Sequence, residues 1–119
     1  MKLKPSAVAI VLARDAQEGL LVLVGKRNPK SSFLGGYFAF PGGVQEADDR
    51  GGLHATASRE LEEETGIHVS ADHFLPAGSR ATPPFVPRGF NTAMFVTLLD
   101  RAEQPAGPGD ELLDVQWTS

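Results

Sequence analysis

One segment governs what this chain can become: residues 53–65, the single stretch that reads as a helix, closed by glycine at position 66. A glycine just past the last helical residue adopts the left-handed conformation that ends a helix without side-chain strain. Ala57 and Leu61, four residues apart, share the side that faces a core. Outside this segment the apolar runs are only strand length. Residues 7–12 and 20–24 are two such runs, joined by the polar Asp15-Ala16-Gln17-Glu18-Gly19, which predicts a hairpin. Residues 37–40 predict a short aromatic strand running into Pro41-Gly42-Gly43, and 74–78, 91–99 and 112–117 predict three more strands. Residues 27–36, 45–52, 80–89 and 100–110 are rich in breakers and read as loops or turns. Strands, one helix, then more strands predict an α+β domain, or α/β sandwich, with the helix packed on a sheet.

A chain of 119 residues fits one domain, expected to span residues 1–119. No apolar run approaches the ~20 residues of a membrane span, and Arg14 and Asp15 interrupt the first run too soon for a signal peptide. The chain has no cysteine, which excludes disulfides, zinc–thiolate sites and thiol nucleophiles; a cytoplasmic location, which is the expectation, requires none of these. The formal net charge of −4 argues against nucleic acid as a partner. It leaves a phosphorylated small molecule open, because a bound metal inverts the local sign of charge.

The chemistry concentrates at the helix end, in Arg59-Glu60-Leu61-Glu62-Glu63-Glu64-Thr65-Gly66-Ile67. A helix C-terminus carries partial negative charge, so each acid there is disfavoured by roughly 0.3–1 kcal/mol. Glu60 and Glu64 are also a like-charge i,i+4 pair. Glu60, Glu63 and Glu64 share one arc of the helix, and Glu62 points elsewhere. Such a run is ordinarily a solvated acidic face. Here the acids converge at the unfavourable end, which calls for a compensating cation, and an all-oxygen carboxylate set suits Mg²⁺ or Mn²⁺. Arg59 precedes Glu63 by one helical turn and is within reach to orient it. Gly42-Gly43 reads either as a turn or as a place where backbone approaches a metal or phosphate closely.

Together these residues resemble the Nudix box. That pattern runs Gly, five residues, Glu, seven residues, Arg-Glu, an aliphatic, any residue, Glu-Glu, any residue, Gly, an aliphatic, and its second half is matched by Arg59-Glu60-Leu61, Glu63-Glu64 and Gly66-Ile67. Gly43 takes the opening glycine, but the interval to Arg59 is two residues longer than the pattern. Counted forward from Gly43, the lone acidic position falls on Asp49; counted back from Arg59, it falls on Gly51. The flanking strand order is similar to the Nudix fold, which implies an α/β/α sandwich with a mixed sheet and the box helix packed on it. The C-terminal helix usual in that fold is missing after Trp117, so the expectation is a member without it or a truncated piece.

The resemblance implies hydrolysis of a diphosphate linkage in a nucleoside diphosphate derivative, by in-line attack of a metal-positioned water on phosphorus. It implies that Glu60, Glu63 and Glu64 bind Mg²⁺ or Mn²⁺, with the Gly43 carbonyl as a further ligand and Arg59 beside them. The general base is either Glu60 or an acid on a loop outside the box, for which Glu111, with Asp110 beside it, is the candidate; an exposed loop carboxylate is the plain alternative. Arg27, Gly36 and the Phe-Pro-Gly-Gly at 40–43 match part of a motif in coenzyme A diphosphatases, although that motif's second arginine falls on Ser32. Arg27, Arg80 and Arg88 are candidates for phosphate, and Phe90, Phe85 and Tyr37 for stacking on a base, against a background in which such aromatics more often pack the core. His54, His68 and His73 lack metal-ligand spacing and read as surface residues; Trp117 packs the last strand. Any oligomer is expected to be a homodimer. The competing reading is a non-catalytic Nudix-fold module that binds a nucleotide ligand or regulates; a calcium-stabilised structural domain ranks below it, since the acids lie on a helix and not in a 12-residue loop.

Overall fold

The computed structural model describes residues 4–27, 38–81, 90–106 and 112–119. Its elements are β1 (Lys4–Asp15), β2 (Gly19–Arg27), β3 (Phe38–Ala39), β4 (Gly42–Val44), α1 (Leu53–Thr65), a short 3₁₀ turn (Ala71–His73), β5 (Leu75–Ala81), β6 (Phe90–Leu99) and β7 (Leu112–Thr118). Two expectations are corrected. Gly42 and Gly43 lie in a strand and not in a turn, because β4 pairs with β1. Residues 80–81, expected to open a loop, continue β5 along β6. Residues 82–89 of the expected loop lie outside the described residues.

The strands form one mixed sheet. Its main path runs β3-β2-β1-β6-β5, with β4 added on β1 and β7 on β2. The expected hairpin is present: β1 and β2 pair antiparallel, Asp15 opposite Gly19, and the Asp15 carboxylate accepts the backbone N–H groups of Gln17 and Glu18. β1 and β6 are parallel and paired from Lys4–Phe90 to Ala13–Leu99, which makes them the spine of the sheet. The other edge of β1 forks. Leu12 to Asp15 pair with β2, while Ser6 to Val8 pair with β4. β2 turns away from β1 and takes β3 and β7 instead.

α1 packs across β1, and the sequence allows it to lie close. The inward residues of β1 are Ala7, Ala9, Val11 and Ala13, all fully buried, and the first three share a core with Ala57 and Leu61 of the helix. Small side chains on both sides shorten the distance at which the layers touch. Leu23, Ile67, Val69, Phe74 and Phe95 complete this core. Gly66 ends the helix as expected, at φ 75°, with its N–H donating to the Glu62 carbonyl at 2.8 Å. On the opposite face of the sheet Leu20, Leu75 and Leu98 remain exposed. Among the described residues α1 is the sole α-helix, and no helix is long and apolar enough to cross a membrane.

Candidate active site

The fork in β1 brings β4 beneath α1. A Cβ on Gly42 would strike the Ala7 carbonyl and the Val8 backbone, and a Cβ on Gly43 would strike the Glu60 carboxylate. Glycine is therefore required at 42 for sheet packing and at 43 to let Glu60 approach the strand. Gly43 and Glu60, singled out from the sequence, are brought together.

Arg59 organises the remaining acids. Asp49 holds one edge of its guanidinium with paired bonds, Nε–H to Oδ1 at 2.7 Å and Nη2–H to Oδ2 at 3.0 Å. Asp49 Oδ2 also accepts the Thr56 hydroxyl at 2.8 Å and the Glu46 N–H at 2.9 Å. Nη2 donates to the Val44 carbonyl at 3.1 Å, which ties Arg59 to the end of β4. The other corner, Nη1, donates to Glu60 Oε2 at 2.9 Å and to Glu63 Oε2 at 2.6 Å. Of the two counts across the lengthened interval, the forward one falls on the acid that meets Arg59. Asp49 was legible in the sequence only as that count; nothing in it announced the Thr56 and Glu46 bonds.

The charges respond accordingly. The Arg59 hydrogen bonds hold the Asp49 carboxyl well below the usual carboxylate range, against an opposing push from its own burial. Asp49 in turn raises Arg59 above its ordinary value. Burial pushes the Glu60 carboxyl up to about 7; Arg59 pulls it down, and Glu63 and Glu64 push it further up. One guanidinium, already paired with Asp49, does not supply the positive charge that this end of the helix needs.

The expected arc of three acids divides in two. Glu60 and Glu63 gather on Arg59, while Glu64 is buried and accepts the Leu112 N–H of β7 at 3.0 Å. Glu62 is exposed and turned away, 3.6 Å from His68. Among the described residues no three acids or imidazoles stand close enough to hold a metal ion as they are. The donor set nonetheless fits a hard divalent cation: carboxylate oxygens only, with the half-buried Glu60 carboxyl pushed up to about 7, chiefly by burial.

His54 is corrected: it is half-buried, with its ring 4.3 Å from that of Phe95, because the first turn of α1 faces the sheet. Trp117 packs on the core and donates its indole N–H to the Glu103 carbonyl at 2.7 Å. An open hollow of about 360 Å³ lies beside Arg59, lined among others by Asp48, Arg50, Ser58 and Ala71. Glu60, Glu63 and Glu64 do not line it. Tyr37, Phe85, Arg88, Asp110 and Glu111 lie outside the described residues, as do the side chains of Arg27, Arg80 and Phe90.

The NUDIX domain family model matches residues 3–119. The chain belongs to the NUDIX domain family. The family sets the class of reaction, hydrolysis of an acid anhydride. Solved structures agree on the fold of this NUDIX domain. A NUDIX hydrolase from Alicyclobacillus acidocaldarius is 23% identical with a TM-score of 0.81, the match covering 99% of this chain and 79% of that one. A MutT/nudix family protein from Enterococcus faecalis is 25% identical with a TM-score of 0.82, over 98% of this chain and 44% of its own. The NUDIX domain of Shewanella oneidensis NrtR, solved with ADP ribose, is 18% identical with a TM-score of 0.81, over 98% of this chain and 73% of its own. No curated protein matches the sequence significantly.

Proposed function

We propose that this NUDIX domain hydrolyses the diphosphate linkage of a nucleoside diphosphate derivative with Mg²⁺ or Mn²⁺ as cofactor. The observation that carries the reading is the Glu60 carboxyl: half-buried against Gly43, close enough to Glu63 and Glu64 to feel their charge, and raised to about 7. Arg59 compensates that carboxyl only in part, since burial and the neighbouring acids still push it up. A divalent ion held by Glu60, Glu63 and Glu64, with the Gly43 carbonyl, would complete the compensation, and it would neutralise the diphosphate and lower the pKa of a bound water.

The chain's own residues do the rest. Arg59, gripped by Asp49, fixes where Glu60 and Glu63 sit. Glu60 is one candidate to take the proton from the attacking water, since a base works best with a pKa near the working pH; Glu111 is the other. The water oxygen forms a bond to phosphorus, the bridging P–O bond breaks, and the departing phosphate oxygen leaves with the electron pair. Arg27, Arg80 and Arg88 are the proposed phosphate contacts, and Phe90 the proposed base contact. The bound ADP ribose of the NrtR domain supports a nucleotide-type ligand. A cysteine-free chain suits a cytoplasmic enzyme.

One observation favours a second reading, a ligand-binding module without chemistry: Glu60 and Glu63 are already hydrogen-bonded to Arg59, and Glu64 is engaged with β7. A panel of ADP-ribose, NADH, diadenosine polyphosphates, coenzyme A and oxidised nucleoside triphosphates, assayed with Mg²⁺, Mn²⁺ and chelator, separates the two. The hydrolase reading expects turnover that chelator abolishes and that Glu60→Gln lowers by about 10²-fold or more. Saturable binding of a panel member without turnover transfers the assignment to the binding module.

A further inference from the structure

Asp49 is held on Arg59 from two further directions, by a turn and by a helix hydroxyl. In the turn, the Asp49 N–H donates to the Glu46 carbonyl at 3.0 Å and the Arg50 N–H to the Asp48 carbonyl at 2.9 Å. Asp49 Oδ2 closes it by accepting the Glu46 N–H. The hydroxyl belongs to Thr56, fully buried in α1, and donates to the same Oδ2 at 2.8 Å. A threonine inside a helix ordinarily turns its hydroxyl back to the carbonyl one turn earlier, as Thr65 does to Leu61 at 2.7 Å. Thr56 gives its hydroxyl to Asp49 instead, and the carbonyl one turn before it, on Gly52, takes the backbone N–H groups of Ala55 and Thr56.

We propose that Thr56 is a positioning residue of the candidate active site: its hydroxyl keeps Asp49 on both Nε and Nη2 of Arg59, and so sets the angle at which Nη1 meets Glu60 and Glu63. Thr56 and Arg59 are three residues apart on α1 and share one side of it, so both reach the Asp49 carboxylate. Each of the five N–H bonds of Arg59 has an acceptor: two on Asp49 and one each on Val44, Glu60 and Glu63. The guanidinium is planar and rigid, so a tilt at the Asp49 end is carried to the Glu60 and Glu63 end. A valine at position 56 removes the donor and sets a methyl where the hydroxyl now stands, 2.8 Å from Oδ2. Carbon and oxygen pack at about 3.3 Å or more, so Asp49 must shift and its paired bonds to Arg59 with it. The part Thr56 plays in turnover rests on the hydrolase reading above; its hold on Arg59 does not.

The Arg59 Nε–H signal in heteronuclear NMR of the full chain tests this, because its exchange with water reports how firmly Asp49 holds it. Thr56→Val is expected to speed that exchange about tenfold or more, and Thr56→Ser, which restores the donor, to return it to the wild-type rate. Should Thr56→Val not fold, Thr56→Ala, which removes the donor and adds nothing, decides in its place. Unchanged Arg59 exchange in the folded variant overturns the proposal and leaves Thr56 a residue of the core. On whichever panel substrate is turned over, kcat is expected to fall about tenfold in Thr56→Val with KM near wild type, since misplacement of a reacting group is felt in the transition state. Faster Arg59 exchange with kcat unchanged overturns the part of Thr56 in turnover. Absence of turnover in the wild type overturns the hydrolase reading, and the Arg59 signal still decides whether Thr56 holds the site.

Discussion

Asp49 and Glu60 sit at opposite ends of the same guanidinium and answer pH in opposite senses. Asp49 has a folded-state pKa below its ordinary value of 3.8, so its contribution is present above that value and is lost as acid titrates it. Glu60 is raised from 4.5 to about 7, so its contribution is complete below 4.5 and is lost as pH rises through 7. In chelator, urea unfolding from pH 5 to 8 should therefore show stability falling with pH in the wild type and a flatter profile in Glu60→Gln. Mg²⁺ should restore stability most at the alkaline end, where the carboxylate is ionised. Asp49→Asn leaves Arg59 without its charged anchor. Removing one partner of a buried pair costs roughly 3–5 kcal/mol; Arg59 is partly exposed, so about 2 kcal/mol is expected in the same assay. At this scale the sequence was informative where chemistry follows side-chain type: Arg59, Glu60 and Glu63, singled out there, are in contact with one another. It named Glu64 but was silent on the bond from Leu112 to it, since that donor is a backbone amide and any residue except proline carries one.

Two adjacent glycines of β4 make a contrasting pair. A methyl at Gly42 meets backbone of β1 that is locked in the β1–β6 ladder, so Gly42→Ala should cost about 1–3 kcal/mol, as overpacking does. A methyl at Gly43 meets the tip of the Glu60 side chain, which is able to swing aside. Gly43→Ala should leave the denaturation midpoint close to wild type while lowering turnover and Mn²⁺ affinity. β7 carries a second constraint. Its register on β2 slips between Val24 and Lys26, and Asp114 takes φ 52° there. Asp114→Gly should be neutral or stabilising, whereas Asp114→Val should cost on the order of 1–2 kcal/mol by thermal melting. The bounds of α1 were readable because Gly66 is a local signal. β4 was not, because Gly42-Gly43 looks like a turn until β1 offers it an edge.

For the whole molecule, the asymmetry of the two sheet faces matters most. One face is sealed by α1; the other leaves Leu20 at 53%, Leu75 at 65% and Leu98 at 46% exposure, too open to hold the fold together. Leu98→Ser should change unfolding free energy by no more than about 0.5 kcal/mol, and it should reduce binding of an apolar dye such as ANS to the folded protein. The α+β class and the order of strands were legible from runs and breakers, which are local. The forked edge of β1 was not, since it depends on where β2 goes after it leaves its hairpin. That fork has a consequence for how such proteins are found. β4 and α1 are each fastened to β1 separately, so the chain between them accommodates two extra residues while Gly43 and Glu60 still meet. A genome search that counts residues between glycine and arginine passes this chain by, while one that measures the gap in space retrieves it.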